Sequence, residues 1–390
     1  MSTDKPLTGI TVVEHARSVA AAYAGRLLAA MGAEVVMVEP PEGSALRREP
    51  PFLDHEEGVS ALFAYHAVGK RSVVLDLATP AGRGDLATLL AAADIFIDDT
   101  PLAERPALGL DEPAVAAHHP GLVHLSVLPF GASGPKAGWA GEEINLVHAG
   151  GEGFLLPNGL SVDLFPDRPP LKVAGYFAQM QGGVTAVFTG LAALWAGGGR
   201  GVDVSVQDAN VAIGCFAVQR LGDGSLEHRH ERNFRYGGVV ECADGFVELL
   251  TLEERQWSAL VELMDRPAWA TAPGMDDPAH RSARGADINE RIRAWARAHP
   301  VGALVARAQR LGVPMAPYNT PGDVLADPHE EARRLFGDVA IDGVGTLPMQ
   351  TAPFRFGPEP LALSSGPPQL GADQALVDRA RPQSARRISA

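Results

Sequence analysis

The chain has 390 residues, 46% hydrophobic and 21% charged, with a formal net charge of −14. That is ample apolar material for a packed core in one large or two ordinary domains, which excludes global disorder. The acidic balance argues against nucleic acid as a partner, and two cysteines, Cys215 and Cys242, are too few for a disulfide framework or a Cys-based zinc site.

In chain order, Ile10 to Glu14 reads as a buried strand. Val19 to Met31 follows as a helix with Tyr23, Leu27, Leu28 and Met31 on one face, and Gly32 is its expected C′ residue. Glu34 to Glu39 is a second strand, ended by Pro40-Pro41. This βαβ unit implies a parallel sheet with a right-handed crossover. The pattern then repeats: strand Arg71–Leu77, Thr79 as N-cap with Pro80 at N1, helix Ala81–Ala93, strand Asp94–Ile97, a helix capped by Asp111, and strand Leu122–Val127. The N-terminal region therefore reads as a doubly wound α/β domain.

Residues from about Glu142 to Pro170 are rich in Gly and Pro and are expected to be irregular. A helix is predicted from about Gly183 to Leu194, then a strand over Val202–Val206. From about Ser225 the character changes. Antiparallel strands are predicted in Gly238–Leu252 around the turn Ala243-Asp244-Gly245, then amphipathic helices Glu254–Met264, Ala286–Ala298 and Val301–Leu311. The expected organisation is a large domain over 1–224 and 337–390 and a smaller α+β domain over 225–336. Beyond about Phe336 the chain reads as proline-rich, extended and returning to the first domain, with a disordered tail from Arg379. Met1 to Pro6 lacks the pattern of a signal peptide. The longest apolar run, Val184 to Ala196, falls short of the ~20 residues of a membrane span, so a cytoplasmic protein with no membrane partner is expected.

Glu39, at the end of the second strand, stands where a dinucleotide-binding domain places its ribose acid. The first turn, His15-Ala16-Arg17-Ser18-Val19-Ala20, nevertheless lacks the glycines that let a pyrophosphate approach. His118-His119 and His228-Arg229-His230 have no further ligands at metal spacing, and Ser133 sits in no Gly-x-Ser-x-Gly elbow. The basic turns are the remaining anion-binding signals: Gly69-Lys70-Arg71-Ser72 before a strand, and Arg47-Arg48 after one.

Several segments form one ordered pattern from Pro6 to about Val377. They include Pro6-Leu7-Thr8-Gly9-Ile10-Thr11-Val12, Tyr23-Ala24-Gly25-Arg26-Leu27-Leu28 and Gly69-Lys70-Arg71-Ser72-Val73-Val74-Leu75-Asp76-Leu77. Further on stand Phe130-Gly131-Ala132-Ser133-Gly134-Pro135, Gly190-Leu191-Ala192-Ala193-Leu194 and Leu311-Gly312-Val313-Pro314-Met315-Ala316-Pro317. Taken together, these segments resemble class III CoA-transferases. The resemblance implies a Rossmann-like large domain that holds CoA, a smaller α+β domain, and two chains threaded through each other as an interlocked dimer, with coenzyme A or an acyl-CoA as substrate or ligand and no covalently bound cofactor. It also implies a covalent mechanism, in which an aspartate attacks the acyl-CoA thioester and passes through a mixed anhydride and an enzyme thioester.

By position in the family pattern, that aspartate lies four residues before the glycine matched by Gly183, where this chain has Gln179. The segment Val173 to Gly183 contains no acid. The related racemase branch has Gly-His-Asp-Ile-Asn where this chain has Gly141-Glu142-Glu143-Ile144-Asn145, which puts Glu142 at the histidine base. The candidate catalytic positions are thus Gln179, Glu142 and Glu143. The candidate CoA-binding residues are Lys70, Arg71, Arg47 and Lys136, of which Lys70 and Arg71 stand in the family pattern, while the family's Lys-Val-Glu-Arg-Pro is Met37-Val38-Glu39-Pro40-Pro41 here. Three functions are compatible with this pattern: CoA transfer through a displaced carboxylate (Glu142, Glu143 or Asp163), a non-catalytic subunit paired with a related chain as homodimer or heterodimer, or a changed reaction on the same scaffold.

Overall fold

A computed structural model describes residues 5–53, 58–156, 167, 169, 171–214, 236–363 and 365–380. Asp163, Cys215, the His228–His230 cluster and the end of the tail, 381–390, lie outside the described residues. The chain divides into two compact units: Met1–Glu152 with Lys172–Gln219 and Pro328–Ala390, and Gly153–Leu171 with Arg220–Asp327.

The first unit is built on a six-stranded parallel sheet in the order β3-β2-β1-β4-β5-β6. Its strands are β1 (Thr11–His15), β2 (Glu34–Glu39), β3 (Arg71–Val74), β4 (Ile95–Asp98), β5 (Val123–Leu128) and β6 (Gly201–Ser205). Both faces are covered, as the near-continuous apolar strands require. Val12, Val35, Ile95 and Leu125 face one core, while Val13, Val36, Val73 and Phe96 face another. Helices α1 (Val19–Ala30), α2 (Ala61–Ala67), α3 (Pro80–Leu90) and α4 (Glu112–His118) connect the first strands. Ser18, Thr79 and Asp111 cap α1, α3 and α4 through their side-chain oxygens.

Three expectations are corrected here. Glu143–Ala149 is not irregular but a helix, α5, whose N-terminus is organised by a capping box between Glu142 and Asn145. The helix expected from Gly183 begins six residues earlier: α6 spans Phe177–Trp195, so Gln179 lies in its first turn. Gly182 and Gly183 look like a boundary in sequence, yet they mark close helix contacts. A Cβ on Gly182 would stand 2.7 Å from Val206 Cγ2, and one on Gly183 would stand 2.7 Å from the Ala20 carbonyl oxygen. The saving in space outweighs the helix penalty of about 1 kcal/mol per glycine. Third, the return segment is not simply extended: β10 (Phe336–Ile341) and β11 (Gly345–Gln350) form an antiparallel hairpin whose Val339, Ile341 and Met349 cluster with Ala64 of α2 and with Val68 just after it.

Alanine-rich α1 has eleven of its twelve residues buried, because it is packed both against the sheet and against α6. Helix α7 (Val206–Ile213) follows β6 directly. The second unit holds a three-stranded antiparallel sheet, β7 (Gly238–Glu241), β8 (Phe246–Leu249) and β9 (Met315–Pro317). Helices α8 (Glu254–Leu263), α9 (Gly285–Ala296) and α10 (Val301–Leu311) cover it, and Leu260, Leu263 and Ile288 fill its core.

Candidate functional site

In this strand order the direction of winding reverses between β1 and β4, where an open α/β sheet leaves a crevice at the carboxyl ends of its strands. A cavity of about 500 Å³ opens there. Arg17 and Ser18 reach it from the turn after β1, Asp99 and Leu102 from the segment after β4, and Val127 from β5. Trp139, Glu142, Tyr176 and Gln179 close the other side, with Glu49 at the edge.

Gln179 is buried, and its side-chain oxygen accepts from the Val19 N–H at 3.1 Å, in the first turn of α1. Glu143 is buried too and caps α6, its carboxylate accepting from Ala178 N at 2.9 Å and Gln179 N at 3.1 Å. Glu142 is exposed on the cavity wall, and its backbone N–H donates to Asn145 Oδ1. Two of the three predicted catalytic positions therefore line one cavity, and the third holds the backbone between them.

Asp99, which is not among the candidate residues of the sequence, is central to the geometry. Its carboxylate accepts from Arg17 N at 2.9 Å and Ser18 N at 2.6 Å. Burial raises its pKa, opposed by these hydrogen bonds and helped by the neighbouring Asp98 charge. The side chain thus occupies the helix N-terminus at which a Rossmann-type domain would hold a phosphate. Position alone could have flagged it, since it directly follows β4 at the switch point. Glu49 and Tyr176 gave no such signal, being brought in by non-local packing.

The predicted CoA contacts disperse. Lys70, expected at a phosphate, is instead fully buried, donating to Glu14 Oε2 at 2.6 Å and to the Ala22 carbonyl at 2.8 Å. Gly25 makes that pairing possible: a Cβ there would stand 1.6 Å from Glu14 Oε2. Burial pushes Glu14 up to about 7 despite the pull of Lys70, and burial likewise lowers Lys70. Arg47, also expected at CoA, makes a two-pronged pair with Glu39 at 2.7 and 2.8 Å and stacks over Phe63. Arg71 is half-exposed, 3.5 Å from Asp373. Lys136 donates to Gln207 Oε1 at 2.9 Å and lies over Phe130 and Trp139. Among the described residues no group of His, Cys, Asp or Glu is arranged to hold a metal ion, and no helix is long and apolar enough to cross a membrane.

Comparison with known proteins matches this architecture. The succinate–glutarate CoA-transferase of Agrobacterium fabrum is 30% identical over 386 residues, covering 95% of this chain and 94% of that protein. Subunit BbsE of the succinyl-CoA:(R)-benzylsuccinate CoA-transferase of Thauera aromatica is 28% identical, covering 90% and 88%. A CAIB/BAIF family protein from Brucella suis superposes with a TM-score of 0.83 at 29% identity, over 97% of this chain and 99% of that one. The pattern of CoA-transferase family III matches residues 7–374, and the chain belongs to that family.

Proposed function

We propose that the switch-point cavity binds an acyl-CoA and that the chain transfers CoA between carboxylic acids, with Glu142 as the reacting carboxylate and Gln179 as an unreactive amide at the family's aspartate position. One observation carries the choice: of the three candidate catalytic positions, Glu142 and Gln179 share the cavity and only Glu142 is a carboxylate, while both oxygens of Glu143 accept from α6. The names of the relatives, each a carboxylic-acid CoA-transferase, support CoA transfer as the reaction class.

In this mechanism a Glu142 oxygen attacks the thioester carbonyl, and the C–S bond breaks to give a mixed anhydride and CoA thiolate. The thiolate attacks the glutamyl carbonyl, releasing the donor acid and leaving a glutamyl–CoA thioester. An acceptor carboxylate then displaces CoA thiolate, forming a second anhydride. Return attack of the thiolate on the acyl carbonyl yields the new acyl-CoA and regenerates Glu142. Glu142→Gln should lower transfer at least about 100-fold and abolish the hydroxylamine-sensitive enzyme thioester. Retention of wild-type activity by that variant would refute the assignment.

A second reading, a partner subunit of a dimer, is favoured by the exposed apolar stripe on α6. Val184, Phe188 and Trp195 are 45%, 74% and 95% exposed. One relative is itself named as a subunit. Activity that appears only after mixing with an aspartate-bearing family member would favour this reading, with Glu142→Gln then having no effect.

A further inference from the structure

If the cavity is an acyl-CoA site, as proposed above, its choice of acyl group follows from how its anion-binding groups are already occupied. Two helix N-termini border it, and both are filled by the chain's own side chains. At α1, Asp99 takes the N–H groups of Arg17 and Ser18, and Gln179 takes that of Val19. At α6, Glu143 takes the N–H groups of Ala178 and Gln179. Arg17, the cation among the described lining residues, is held by Glu104 at 2.9 Å.

The remaining wall carries three carboxylates, Glu49, Asp99 and Glu142, among apolar groups such as Leu46, Leu102 and Leu146. Tyr176 senses the same field: burial first, then the charges of Glu49 and Glu142, push its hydroxyl above the ordinary tyrosine range. A second carboxylate on the acyl group would enter against like charges, with both helix N-termini and Arg17 already claimed. A methyl-ended chain meets no such cost and gains contact with the leucines.

We propose that the cavity selects an uncharged, mainly apolar acyl group and discriminates against acyl groups that carry a second carboxylate.

The test is calorimetric titration of the full chain, at low ionic strength, with free CoA, butyryl-CoA and succinyl-CoA. The two thioesters match in length and differ in ending on a methyl or a carboxylate. Butyryl-CoA should bind about tenfold more tightly than succinyl-CoA. Glu49→Gln, which removes one charge from the cavity wall, should tighten succinyl-CoA about threefold to fivefold relative to butyryl-CoA. Succinyl-CoA binding as tightly as butyryl-CoA, or a preference that Glu49→Gln leaves unchanged, would overturn this inference while leaving the acyl-CoA reading intact. Failure of all three ligands to bind, free CoA included, would bring down the acyl-CoA reading and this inference with it.

Discussion

Two buried carboxylates on paired strands have opposite fates. Glu14 on β1 and Asp98 on β4 lie one residue apart in register, His15 facing Asp98. Glu14 has one cationic partner, Lys70, and burial wins: its pKa rises to about 7. Asp98 has four neighbours that favour its charge. Burial pushes it up, but His124 and His15 at 3.5 and 3.6 Å, Arg105 at 3.3 Å and the Thr100 N–H at 2.9 Å hold it well below the usual carboxylate range. The number of donors, more than depth, decides whether a buried acid keeps its charge.

The sharpest way to break the contrast is to remove the single partner. Lys70→Met should destabilise the chain by about 3–5 kcal/mol in denaturant unfolding, because it strands Glu14 without a counter-charge. The double variant with Glu14→Gln should recover most of that loss. Gly25→Ala forces the Glu14 carboxylate aside and should cost about 1–3 kcal/mol, with little added cost when Glu14→Gln is already present.

Titration reads the same contrast in the pH dependence of the unfolding midpoint. The folded pKa of Glu14, about 7, lies above its ordinary 4.5. Its contribution is therefore full below about pH 4.5 and is lost as pH rises through about 7. Asp98 is lowered from 3.8, so its contribution is present above that pH and is lost as pH falls through the depressed value. Glu14→Gln should flatten the first slope and Asp98→Asn the second. The smallest effect belongs to the residue next to Lys70: Arg71→Ala breaks only a half-exposed pair and should change stability by less than about 1 kcal/mol.

That neighbouring lysine and arginine differ so much explains what could be read from the sequence. The six strands and the helices after β1, β3 and β4 carried their own punctuation: Gly32 after α1, Thr79-Pro80 before α3 and Asp111 before α4. The parallel sheet followed from the repeated strand–helix alternation, and Gln179 and Glu142 were reached through the order of motifs in the family pattern. The inward turn of Lys70 was not legible, since it depends on Glu14 and on the missing side chain of Gly25 in another element. The start of α6 was hidden because Gly182-Gly183 reads as a break until Val206 and Ala20 are seen pressed against it. The hairpin over Phe336–Gln350 was masked by Gly343, Gly345 and Pro348, which in sequence resemble an extended linker.

The linked caps of α5, α6 and α1 have a consequence for amide exchange. The first N–H groups of a helix have no partner within it and usually give up their protons to water early. Here Glu143, at the start of α5, holds the amides of Ala178 and Gln179, and Gln179 in turn holds the amide of Val19. Those three protons belong among the slow exchangers of the molecule. Because the caps run in series, opening at Glu143 would release Val19 as well, so deuterium should enter the first turns of α6 and α1 together.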